Sequence, residues 1–227
     1  RQTDRQTDRQ TDRQTDRQTD RQTDRQTGLI KLLQYVYGYV NVELEDVAHY
    51  SSNKIDAQSL TEYTYVGVDN LLQNRQGKQK SSYVPNIGKC IEFNVGNILI
   101  GNIRPYLKKI WFANCDGGTN GDVLTIIANK NLVIPKYLFY VLSSDEFFEY
   151  DVQNSKGAKM PRGSKEMVLK YQFLLPSLQK QKEIVDILDN FDKLVNDLSN
   201  GLPAEIEARQ KQYEYYRDKL LNFKRKN

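Results

Sequence analysis

The chain has 227 residues, 33 of them Lys or Arg and 29 Asp or Glu, with one His and two Cys. Cys90, Cys115 and His49 are too few for a four-ligand zinc site, and no apolar run is long enough to span a bilayer. With no signal peptide in view, a reducing cytosol is the expected compartment.

Residues 1–27 are six copies of Arg-Gln-Thr-Asp and most of a seventh. Around a helix such a repeat drifts about 40° per copy, and it has no apolar member to bury. It is expected to be a disordered, low-complexity tail. The repeat is more informative as codons. If one tetranucleotide recurs in tandem, the four codons are its rotations. Thr requires AC at its first two positions, Gln then requires CA, and the unit is AGAC. A slippage-prone tract is therefore expected at this point in the gene, where gain or loss of one unit shifts the downstream frame. The chain also begins without Met, so it is expected to be either a fragment or part of a longer reading frame.

The other 200 residues hold 26 basic and 23 acidic side chains, a mild excess that permits nucleic acid without requiring it. Residues 28–41 read as a linker. From Val42 to Pro176 the chain reads as one domain of short strands. Thr64–Val68, Cys90–Phe93, Asn97–Gly101, Lys109–Ala113 and Asp122–Ala128 are the strand candidates, separated by Gly and Asn turns. The run Gly117–Gly121 reads as one such turn. A single helix is expected from Pro135 to about Tyr150, and Tyr171–Leu175 reads as a closing strand.

Beyond Ser177 the period changes. Ile184, Ile187, Leu188, Phe191, Leu194, Val195 and Leu198 recur at helical steps, Asn200-Gly201 marks a C-cap, and Pro203 opens a second helix. Ile206, Tyr213 and Leu220 then fall seven apart, as do Arg209, Tyr216 and Phe223. Stripes this narrow predict a coiled-coil seam or a partner's helix, with two helices packed back on the domain as the alternative. The expected fold class is α+β: a mixed α/β domain at 42–176, then a long antiparallel or coiled-coil helical spacer at 177–227.

Catalytic signatures are missing. There is no GxGxxG loop, no Walker lysine, no amino-methyltransferase tetrapeptide and no plausible Ser-His-Asp set. Three polar segments suit binding instead. One is Asn74–Tyr83, with Arg75, Gln76, Lys78 and Lys80. The next holds Arg104, Tyr106, Lys108 and Lys109. The third, Ser155–Lys165, carries Lys156, Lys159, Arg162 and Lys165 and no acid. Lys and Ser grip phosphates, while Arg, Asn and Gln read guanine and adenine edges. A helical adaptor with an α/β ligand-binding domain is the alternative these features leave open.

Leu174-Leu175-Pro176-Ser177-Leu178-Gln179-Lys180-Gln181-Lys182-Glu183-Ile184-Val185 resembles the junction of a target recognition domain with its spacer helix in specificity subunits of type I restriction–modification systems. The likeness continues through Ile187–Asp192, Leu202–Ile206 and Arg209–Leu221. Upstream, Val42–Val47 is similar to the family's entrance to a recognition domain, and Gly157–Ser164 to its loop before the closing strand. Ser177 departs from the pattern, which commonly has a second proline there; Ser is a good N-cap.

The resemblance implies a noncatalytic subunit that directs methylation and restriction to one half of a bipartite site on double-stranded DNA, in a bacterial or archaeal cytoplasm. Its partners would be a methyltransferase subunit, which binds S-adenosylmethionine, and a motor–nuclease subunit, which uses ATP and magnesium. A second copy of this chain or an upstream half-subunit would supply the other half-site. Side-chain chemistry then gives base choice to Arg75, Gln76, Arg104 and Asn120. Phosphate grip falls to Lys78, Lys80, Lys108, Lys156, Lys159 and Lys165, with Lys109 and Arg162 as further DNA-binding residues. The seam falls to Ile184, Leu188, Phe191, Val195, Leu198, Ile206, Tyr213, Tyr216 and Leu220. A 20-residue helix spans about 30 Å, close to one duplex turn of about 34 Å, so helix length would set the gap between half-sites.

Overall fold

The computed structural model describes residues 27–197 and 203–221, without the side chains of 194–197 and 203–207. The repeat tail at 1–26 lies outside the described residues, and so do Leu198 and the side chains of Val195 and Ile206.

The segment expected as a linker is structured. Residues 27–37 form helix α1, which buries Ile30 and Gln34, one turn apart, and leaves Leu32 and Val36 in solvent. Gln34 Nε2 donates to the Pro176 carbonyl at 2.9 Å. Gly38, at φ +80°, ends the helix, and its N–H bonds to the Gln34 carbonyl. Strand β1 (Tyr39–Glu43) follows. It pairs antiparallel with the closing strand β10 (Gln172–Pro176), Tyr39 opposite Pro176. In the short helix α2 (Leu44–Val47) the Asp46 carboxylate accepts from the Glu43 N–H at 2.8 Å and turns Leu44 and Val47 inward.

One antiparallel sheet has the order β2 (Ala48–Tyr50), β9 (Val123–Ala128), β6 (Ile98–Gly101) and β7 (Ile110–Phe112). It is covered on both faces, so its strands read as unbroken apolar runs. Ile98, Ile100, Ile110, Leu124 and Ile126 face the helices, while Leu99, Trp111 and Val123 face the second sheet. That sheet has the order β3 (Lys54–Asp56), β5 (Lys89–Phe93), β8 (Gly117–Thr119) and β4 (Tyr65–Val66), with only β4 and β8 parallel. Phe93 and Trp111 join the layers edge to face, 5.8 Å between centroids.

β8 corrects the turn expected at Gly117–Gly121. A Cβ on Gly117 would lie 2.0 Å from the Thr64 carbonyl oxygen, and one on Gly118 would lie 2.7 Å from Leu60 Cδ1. Glycine is needed there because neighbouring chain segments crowd both faces of an interior strand.

The single helix expected from Pro135 is two helices, α3 (Pro135–Leu142) and α4 (Asp145–Gln153). Ser143 closes the first. Ser144 caps the second, its Oγ accepting from the Phe147 N–H at 3.1 Å. Helix α5 (Lys165–Leu169) is capped in the same way by Ser164.

Helix α6 (Leu178–Asp197) begins inside the domain. Buried Gln181 accepts from the Ile134 N–H at 2.8 Å and donates to the Leu132 and Pro176 carbonyls at 3.0 and 2.8 Å. Ile184 and Leu188 are buried in the main core beside α3. Their assignment to a partner seam is thereby corrected: the stripe's first half is filled by the domain itself. Helix α7 (Pro203–Leu221) packs on α6, where Tyr216 stacks on Phe191 at 5.6 Å, and on the domain, where Tyr213 and Leu220 touch the main core. Among the described residues, the first half of α6 and the C-terminal half of α7 pack against the domain.

Candidate nucleic-acid interface

Two loops meet at one edge of the domain. The first follows β6 and carries Arg104; the second joins α4 to α5 and carries Lys156–Lys165. Main-chain bonds fasten them together: the Arg104 N–H donates to the Pro161 carbonyl at 2.7 Å, and the Gly163 N–H to the Asn102 carbonyl at 3.0 Å. Lys156 and Arg162 exchange bonds of 2.9 and 2.8 Å that close the second loop into a hairpin. Arg162 also pairs with Asp122 at 2.9 Å.

Arg104 (φ +55°) and Lys108 (φ +50°) flank a short 3₁₀ turn in left-handed backbone conformations that non-glycine residues seldom adopt. Arg104 and Tyr106 are held out from this turn and are exposed. Arg104, Asn120 and Lys109 share a cleft of about 360 Å³ with Tyr65, Tyr83 and Met160. Lys156 and Lys159 are exposed on the hairpin segment beside it, and Lys165 is exposed as the first residue of α5.

Other cations proposed from sequence are already engaged. Lys109 is buried, donates to the Val68 carbonyl at 2.7 Å, and is shifted down by burial. Lys108 and Arg75 both bond the Asp145 carboxylate, and Arg75 Nε also donates to the Ser143 carbonyl. Arg75 and Lys109, expected from sequence to contact DNA, are held instead as internal ties, because both are largely buried and bonded to protein acceptors. Lys108 is tied to Asp145 in the same way, though more of it is exposed. Lys78 donates to the Tyr63 carbonyl and lies 4.9 Å from the Trp111 ring centre. Lys80 pairs with Glu62 yet stays exposed. Gln76 is exposed in a different cleft, shared with Arg75, Tyr213 and Arg217 of the helical pair.

Asp145 is the centre that residue types alone did not reveal. Burial would raise its carboxyl, but hydrogen bonds from Lys108 and Arg75 outweigh that and hold it down at about 2. Buried Arg217 of α7 lies 3.8 Å from the same carboxylate. The signal available was Ser144-Asp145, a cap followed by an acid at a helix start, where the dipole favours negative charge.

His49 is exposed on β2, Cys90 is buried and Cys115 half-buried. Among the described residues no group of three His, Cys, Asp or Glu could hold a metal, and no helix is long and apolar enough to cross a membrane.

Residues 37–208 match the family model described as the type I restriction modification DNA specificity domain. The chain is 36% identical over 104 residues to the EcoR124I/EcoR124II specificity subunit of Escherichia coli, covering 46% of this chain and 26% of that protein. It is 44% identical over 129 residues to the MpnII specificity subunit of Mycoplasma pneumoniae, covering 56% of this chain and 38% of that one. In fold it is similar to the HsdS subunit of Thermoanaerobacter tengcongensis, with TM-score 0.58 and 21% identity over 77% of this chain and 47% of that one. It therefore spans well under two thirds of each of these relatives. The family match covers most of the chain, and the chain belongs to the type I restriction modification DNA specificity domain family.

Proposed function

We propose that this chain is a noncatalytic DNA-address subunit that directs type I methylation and restriction to one half of a bipartite site. The observation that carries the reading is the cleft beside the fastened loops. It sets exposed Arg104 together with Asn120 beside a hairpin that carries exposed Lys156 and Lys159, with Lys165 exposed at the start of α5. Arg and Asn have the donor geometry to pair with guanine and adenine edges, and the lysines can neutralise flanking phosphates.

The helical pair is the surface we assign to a methyltransferase subunit and to a second recognition unit, either another copy of this chain or an upstream half. S-adenosylmethionine, ATP and magnesium would reside in partner subunits. Phe191 and Tyr216 already close the seam between α6 and α7, so a partner would bind the outer faces of the pair.

The Arg-Gln-Thr-Asp tract fits this reading as a genetic switch. A change of one AGAC unit would turn a methylation specificity on or off by frame. The test is genome-wide methylation mapping with and without the intact gene. Loss of one split motif on deletion supports the reading, and an unchanged methylome with an intact methyltransferase partner rejects it. Sequencing the tract tests the switch: mixed synonymous codons would remove the basis for slippage.

A further inference from the structure

The hairpin bearing the cationic rim also presents an apolar side chain. Lys156 and Arg162 close it through two main-chain bonds, and Gly157 makes its turn at φ +100°. On the far side of Met160, the Pro161 carbonyl accepts from Arg104 and Arg162 pairs with Asp122. The backbone on either side of Met160 is thereby pinned. Met160 is nonetheless 51% exposed, and it lines the cleft that contains Arg104 and Asn120.

A single exposed apolar residue is ordinary on a protein surface. This one sits on a fixed backbone, next to Lys159 and inside the cleft proposed for base contacts. A duplex offers one apolar group on its major-groove edge, the C5-methyl of thymine. Methionine is unbranched and polarizable, so it can fit such a methyl without demanding a fixed shape. The neighbouring Arg104 and Asn120 supply donors for the purines, so the cleft holds complementary chemistry for both kinds of base edge.

We infer that Met160 is a specificity residue that packs on the C5-methyl of one thymine in the recognised half-site. The inference rests on the DNA-address function proposed above. Its worth is that of one buried methyl, about fourfold in affinity.

The experiment uses the full chain with its methyltransferase subunit. A duplex is first enriched from a random pool, and each thymine is then replaced singly by deoxyuridine. At one position the uracil duplex is expected to bind about fourfold more weakly, by the same one-methyl estimate. Met160→Ala should erase that difference while leaving the salt dependence of binding unchanged, and Met160→Leu should restore it. A duplex indifferent to uracil at every position, or an alanine variant as sensitive as the parent, would overturn the Met160 inference alone. Failure to enrich any duplex would overturn the DNA-address reading and this inference with it.

Discussion

Arg75 and Asp145, 70 positions apart, form an ion pair that ties the loop before β5 to the first turn of α4. Lys108 reaches the same carboxylate from the Arg104 loop, and Arg217 approaches it from α7. One acid thus links a loop of the candidate cleft to the helical pair. Asp145→Ala should destabilise the chain by about 1–2 kcal/mol, the scale of charged hydrogen bonds reduced for a carboxylate one-third exposed. The carboxyl sits below its ordinary 3.8, at about 2, so its stabilisation is full above pH 4 and disappears as pH falls toward 2. Urea unfolding from pH 2 to 5 should show the parent losing more stability than the alanine variant over that fall.

Asp151 has the opposite sign. Its carboxylate is buried with neither oxygen hydrogen-bonded, beside the equally unpartnered Asn102 Oδ1, and burial raises it to about 6. The folded state then holds a proton that the unfolded state has released, so stability should fall as pH rises from about 4 through 6. The shift corresponds to roughly 3 kcal/mol. Asp151→Asn should raise stability at pH 8 and flatten the profile across that window, since an amide has no buried charge to desolvate. Equal slopes for the two proteins would refute this.

Leu188 separates a core role from a partner role. It is fully buried, so Leu188→Ala should cost about 2–5 kcal/mol in the isolated chain. Calorimetry without any partner is sufficient. A loss seen only in partner binding would restore the seam assignment.

The cationic rim should report through salt. Replacing Lys156, Lys159 and Lys165 by Ala should lower the slope of log affinity against log salt by about 2 to 3, near 0.9 per phosphate contact. The chain's preference among sequences should persist. An unchanged slope would remove these lysines from the interface.

Much of the fold was legible from pattern. The apolar runs behind β6, β7 and β9 read as strands because a sheet covered on both faces needs them, and β5 and β10 were legible from shorter apolar runs in other sheets. β8 did not, since Gly117 and Gly118 carry the composition of a turn, and only the distant crowding by Thr64 and Leu60 explains them. β1 looked like a linker because its partner strand lies at the other end of the domain. The stripe of Ile184 and Leu188 showed that an apolar surface would cover it, but periodicity does not say whose. The same limit applied to Arg75. A guanidinium suits a guanine edge or a protein carboxylate equally, and Asp145 decided between them only in three dimensions.

Recognition by the Arg104–Asn120 cleft can be measured through duplex enrichment by the full chain with its methyltransferase, parent against an Arg104→Ala, Asn120→Ala variant. The variant should fold, enrich a motif relaxed at one or two positions, and keep the parent's salt slope. An unchanged motif from a folded variant would contradict the assignment of base reading to this cleft.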